Sequence, residues 1–180
     1  MGWCFSFFGD CLLFAEFAEM YFSVKETRSF GFCGGIWVAA AGKMCYTKEK
    51  SFEKGDPAMH IPGCPTSEME ILPFADALTA AQQPCEEYDV SRWLYVPNTY
   101  GEYRYILGTK GEKPLICVGV NPSTAAPGDL DNTLKSVERV ALHNGFDSFI
   151  MFNVYAQRAT RPDDMERQCN TLLHEENRKA

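Results

Sequence analysis

The chain has 180 residues, of which 46% are hydrophobic and 23% charged, and a formal net charge of −7. This length fits one domain with a sizeable core, or one domain plus an appendage. The acidic balance argues against non-specific attraction to nucleic acid or anionic membranes, although most of the excess acid lies in residues 1–100, where 7 Lys/Arg face 13 Asp/Glu.

The cysteines, eight in all, contain no CxxC pair, and His60, His143 and His174 stand at no ligand spacing to them, so neither a zinc site nor a cofactor is expected. The opening Met1-Gly-Trp-Cys-Phe lacks a positive leader region, and Asp10, Glu16 and Glu19 interrupt its apolar stretch. The expectation is a cytoplasmic protein with free thiols and no membrane partner. Met1-Gly2 with Ser6 fits a loose myristoylation pattern that is too short and common to carry weight.

In chain order, residues 11–22 have the spacing of a helix with a wet face at Glu16 and Glu19. Residues 28–46 hold a glycine-broken apolar run in which Gly34-Gly35 reads as a turn feeding a strand, without phosphate-loop spacing. Residues 47–68 are loop-like, and a helix is predicted over 67–82 with Pro73 as a kink or early stop. Up to about residue 85 no set of residues assembles a chemical constellation.

The signals then sharpen. Tyr100–Leu107 reads as a strand and Gly108–Gly111 as a turn. Leu115–Val120 is a continuous apolar run, as in a strand covered on both faces. Leu130–Asn144 reads as a helix with Asp129 or Asp131 as N-cap and Gly145 just past its end. Ser148–Tyr155 is a second buried-type strand, and a last helix is predicted over Asp163–Asn177 after Pro162. Strand–helix–strand of this kind defaults to a parallel pair.

Ligands in such sheets bind beyond the carboxyl ends of the strands. Both strands end in polar residues, and parallel pairing would gather Asn121, Ser123, Thr124, Asp129, Asp131, Asn153, Gln157 and Arg158 on one rim. Amides, hydroxyls and a cation around an apolar sheet suit a polar planar ligand or a phosphate. Each also has a structural reading: Asn121 as a turn holder, Asp131 as a helix cap, Arg158 in a surface bridge to Asp163 or Asp164. Gly-x-Ser-x-Gly is absent, and Ser123 has no histidine near it in sequence.

The ordered motifs Tyr103–Leu107, Val118–Ala125, Asp131–Thr133, Gly145-Phe146 and Asn153–Thr160 together resemble the domain of unknown function 1643 family over roughly residues 88–180. That family has no established activity, and the resemblance implies a bacterial or phage protein. Gly119-Val-Asn-Pro122 is also similar to the Gly-Ile-Asn-Pro motif of mismatch-specific uracil-DNA glycosylases, and Arg158-Ala-Thr160 to an Arg-Pro-Thr stretch of theirs. In those enzymes the asparagine helps place the attacking water.

The likeness implies an α/β fold, a parallel-sheet sandwich of uracil-DNA-glycosylase-like type. It also implies a catalytic Asn121 that positions a water or a base, with Ser123, Thr124, Asp129, Asp131, Asn153 and Arg158 binding the ligand. The resembled family continues beyond its counterpart of Glu176-Asn177 with further strands, so an incomplete domain is expected. The organisation is then an unassigned N-terminal appendage at 1–87 and the first portion of the family domain at 88–180. The functional expectation is a protein that binds or processes a nucleobase or nucleotide at a strand-end pocket, with nucleobase, nucleotide or nucleic acid as partner. The alternatives are a non-catalytic phage or bacterial accessory binding module, or an inactive truncated gene product.

Overall fold

The computed structural model describes residues 59–180, together with the backbone of two strands at 35–40 and 43–48. The helix expected over 11–22, residues 49–58 of the expected loop and the turn at Gly34 lie outside the described residues, whereas Thr47 and Lys48, expected in that loop, end a strand. Six strands run in the order β2–β1–β5–β6–β4–β3: β1 Gly35–Ala40, β2 Lys43–Lys48, β3 Trp93–Val96, β4 Ile106–Thr109, β5 Pro114–Gly119 and β6 Ser148–Asn153. The α/β class expected from the sequence is present. The sheet, however, is mixed: β5 and β6 pair in parallel, as expected, and every other pairing is antiparallel.

The helix between the parallel strands, α2 (Asn132–His143), follows from its capping residues; α1 (Phe74–Ala80) precedes it in the chain. Asp131 caps it, its Oδ1 accepting from the Leu134 amide at 2.8 Å. At the other end Gly145 takes φ +74, the Gly145 amide donates to Leu142 O, and the Phe146 amide donates to Ala141 O. This is a Schellman closure, with Phe146 folding back on the core. Leu134, Val137 and Ala141 face Leu115, Cys117, Phe149 and Met151 of the central strands. Burying a side chain such as Leu134 or Val137 is worth about 1.5–3 kcal/mol over leaving it exposed.

On the opposite face, Val96 and Ile106 pack with Ala77 of α1 and Leu173 of α3 (Thr171–Arg178). These helices reach only part of that face, with α1 touching β3. Ile116 of β5 is therefore 38% exposed between buried Leu115 and Cys117, contrary to the expectation of cover on both sides.

Three elements differ from their sequence reading. Pro73, expected to kink or stop a helix over 67–82, instead precedes one: a 3-10 turn at Thr66–Glu68 is followed by extended chain, and α1 starts after Pro73. Proline has no backbone N–H, a donor that a helix interior needs and a helix start leaves unused. The last helix is also shorter than 163–177. Pro162–Asp164 forms one 3-10 turn, and Asn170 caps α3 by accepting from the Leu173 amide at 3.1 Å. Finally, Tyr100–Tyr105 is not in a strand. Gly108 and Thr109, expected in a turn, belong to β4, and the turn falls at Lys110–Lys113, where the Asp147 carboxylate accepts from the Glu112 and Lys113 amides at 2.9 Å each.

Candidate functional site

The parallel register puts Gly119 opposite Asn153, so β5 and β6 end level with each other. Alternation along β6 then sets Asn153 on the same face as Phe149 and Met151, the face covered by α2. The Asn153 side chain is 6% exposed, and neither its Nδ2 nor its Oδ1 has a hydrogen-bond partner among the described residues. A buried amide group without a partner costs on the order of 1–3 kcal/mol, so native proteins rarely leave one in place without another use for it. The missing side chain of Gly119 makes the room: a Cβ there would lie 3.3 Å from Asn153 Oδ1 and crowd Met151.

Two arginines complete this corner. Arg158, on the segment after β6, is fully buried, and its guanidinium donates to Ser123 O, to Ala125 O at 3.2 Å and to the Tyr95 hydroxyl at 2.8 Å. Arg104, just before β4, is 2% exposed and donates to the same Ala125 O at 3.0 Å. The Nε atoms of both are buried without an acceptor. The two guanidiniums therefore share one carbonyl oxygen, and neither has a carboxylate at ion-pair distance among the described residues. Burial, and then the charge of Arg158, lower Arg104 from the usual arginine range to about 9. Asp131 opposes this from farther away, its Oδ1 engaged in the helix cap. Over the face of Arg158 lies the ring of Tyr100, at 4.2 Å to the centroid.

The other residues expected on the rim divide between two tasks. Asn121 ties the two strand ends together: its Nδ2 donates to Ala159 O at 2.7 Å and to Pro122 O at 3.0 Å, and the Ala159 amide donates to Pro122 O. Its Oδ1 is left as an acceptor. Ser123 Oγ donates to Thr160 Oγ1 at 3.2 Å. Thr124 lies half-buried beside them. Asp129 stands apart. It is exposed and closes a tight turn in which its amide and that of Ala126 exchange hydrogen bonds around Pro127 and Gly128, the glycine at φ +80. Asp131 is the cap of α2. Gln157 alternates away from Arg158, and its Oε1 accepts from the Glu166 amide at 3.1 Å. Arg158 lies in the interior, not in a surface bridge to Asp163 or Asp164.

Three residues near this rim escaped the sequence reading. Arg104, Tyr95 and His60 are far apart in the chain, and no spacing links them. His60 reaches the rim through two hydrogen bonds to Thr160, its amide donating to the Thr160 side-chain Oγ1 at 2.7 Å and its carbonyl accepting from the Thr160 amide at 2.9 Å. Its ring is held between Tyr100 Oη at 3.0 Å and Glu102 Oε2 at 3.3 Å. Both ring nitrogens are thereby engaged away from Ser123, so His60 and Ser123 do not form a nucleophile–base pair. Cys117, just below Gly119 in β5, is pushed by burial up to about 12 and is an inert thiol. Among the described residues no group of His, Cys, Asp and Glu could hold a metal ion, and no helix is long and apolar enough to cross a membrane.

Nearly all of this corner lies in one continuous stretch. Residues 104–180 match the family model described as protein of unknown function (DUF1643). The match starts at Arg104 itself, later than the expected 88, and takes in Gly119, Asn121, Asn153 and Arg158. No curated protein and no solved structure matches the chain.

Proposed function

We propose that the chain binds a nucleobase or nucleotide where β5 and β6 end, between the sheet and the start of α2. The observation that carries this reading is the Asn153 amide, buried with both its donor and its acceptor unpartnered. A side-chain amide presents the two in one plane, the pattern that pairs with the adjacent acceptor and donor on the edge of a base. Its place fits too: beyond the carboxyl ends of parallel strands, where α/β sheets take their ligands. Asn121 supports the same ligand through its Oδ1, while its Nδ2 holds the two strand ends at fixed separation. The similarity of Gly119–Pro122 to the glycosylase motif points the same way, with Asn121 placing a base or a water.

The experiment is titration calorimetry with a panel of nucleobases, nucleosides and nucleoside monophosphates. The wild type is expected to bind at least one, and Asn153→Ala to lose that binding while its circular dichroism melt stays cooperative. Unchanged affinity in Asn153→Ala would overturn the assignment.

A further inference from the structure

We propose that Arg104 and Arg158 together form an oxyanion site that takes the phosphate of a nucleoside monophosphate. The proposal rests on the nucleobase reading for the rest of the ligand and extends it to a second, chemically separate contact. It stands on three features of the pair.

The first is charge without compensation. Two guanidiniums are buried at 2% and 0% exposure, share Ala125 O, and have no carboxylate at ion-pair distance among the described residues. Buried cations are otherwise paired, and here the chain as a whole is acidic, at −7. The second is unused donors. Both Nε–H groups are buried without an acceptor, and a guanidinium edge offering Nε–H and a terminal N–H is the fork that matches two oxygens of a phosphate. The third is position. Tyr95, to which Arg158 donates, and Ala125, whose carbonyl both arginines share, belong to the same core as Met151, the residue two before Asn153 on its face of β6. Tyr100, half exposed, covers the face of Arg158, and an entering anion displaces this ring. Burial, and then the neighbouring charge of Arg158, lower the pKa of Arg104, in keeping with two guanidiniums packed together in the interior.

A structural rival exists: the arginines could serve only to hold the Ser123–Ala125 backbone. The test separates the two. Inorganic phosphate, a nucleoside monophosphate and the matching nucleoside are each titrated into the wild type, Arg104→Met, Arg158→Lys and Asn153→Ala at constant ionic strength. Thermal melts are run with phosphate and with chloride.

The expected result is that phosphate raises the wild-type melting temperature above that in chloride. Each arginine variant is then expected to lose about tenfold or more in affinity for phosphate and for the monophosphate, the loss of one charged hydrogen-bonding group. Affinity for the nucleoside changes less. Arg104→Met, which removes one uncompensated charge, is expected to melt no lower than the wild type in chloride.

Phosphate binding that persists in Asn153→Ala, with no nucleoside binding by any variant, would sink the nucleobase reading and keep the anion site. Nucleoside binding with no discrimination between phosphate and chloride would sink the anion site alone. A lower melting temperature of Arg104→Met in chloride, with no phosphate effect on the wild type, would leave the arginines as struts and overturn the proposal. Arg158→Lys keeps the charge but not the fork, so full retention of phosphate affinity in it would contradict bidentate recognition.

Discussion

Replacing Asn153 by leucine removes an amide whose nitrogen and oxygen are both buried without a partner, while keeping the same branched arrangement of side-chain heavy atoms. If Asn153 serves a ligand, that variant should gain stability as it loses binding, by roughly 1 kcal/mol or more, because a buried unpaired amide is replaced by apolar atoms. Urea unfolding measures this, and a destabilised Asn153→Leu would mean that the amide supports the fold. Asn121 is the contrasting case. Its Nδ2 joins the ends of the two strands, so Asn121→Ala is expected to cost about 1–3 kcal/mol by leaving Ala159 O without its donor, whatever it does to binding; Pro122 O keeps the Ala159 amide. Part of this contrast was legible in the sequence. Asn121 before a proline could be read as holding a turn; its amide instead ties the segment after β5 to the one after β6. That Asn153 carries the unsatisfied amide and Asn121 the strut was not legible, because both depend on which carbonyls lie across the strand ends.

At the scale of elements, the parts governed by local chemistry could be read from the sequence and those governed by distant partners could not. Helix α2 was marked by Asp129 or Asp131 at one end and Gly145 at the other, within one segment, and Asp131 is the cap. Asp131→Ala is expected to cost about 1 kcal/mol in thermal or chemical denaturation, the usual value of an N-cap. The same substitution removes the carboxylate that acts on Arg104 from a distance, which would strengthen the effect of phosphate on stability.

Strand β3 was missed because Trp93–Val96 is only four residues long and is fixed by antiparallel pairing to β4. The start of β4 was misplaced because Tyr103-Arg104-Tyr105 makes other contacts: the Tyr103 and Tyr105 hydroxyls donate to Glu70 O and Leu72 O, and Arg104 turns inward. Gly108, expected in a turn, is in β4 for a steric reason. A Cβ there would run into the Phe149 carbonyl and the Ile150 backbone of β6. Gly108→Ala must therefore part β4 from β6, and is expected to lose about 1–3 kcal/mol of stability. A neutral substitution would contradict the close approach of the two strands.

Across the whole molecule, residues 59–81 are fastened to the sheet by side chains from about a hundred residues away. Glu176 of α3 accepts from the Phe74 amide at the start of α1 at 2.8 Å and from Lys179 at 2.6 Å. Glu166 accepts from the amide and the hydroxyl of Thr66, and Asn170 Nδ2 donates to Thr66 O. No periodicity in the sequence announces such ties, so residues 59–87 were read only as a loop and a helix with no chemical role, and the arrival of His60 beside Thr160 was not legible.

The ties set a pH dependence. The hydrogen bond from Lys179, then that from the Phe74 amide, hold Glu176 below the ordinary glutamate value. A carboxylate with a depressed folded pKa contributes stability that is complete above its unfolded value and is lost as pH falls through the folded one. Wild-type stability should therefore decline below about pH 4.5, the ordinary glutamate range, and Glu176→Gln should show a smaller decline. Parallel acid titrations of the two proteins, followed by circular dichroism, check this; equal slopes would remove Glu176 from the account.

The measurement that bears most directly on the central claim is calorimetric titration of nucleoside monophosphates into the wild type and Asn153→Leu. The account expects binding to the wild type, and loss of that binding in a variant that melts at the same temperature or higher. No binding of any nucleobase, nucleoside or monophosphate by the wild type, or undiminished binding by a folded Asn153→Leu, would contradict it.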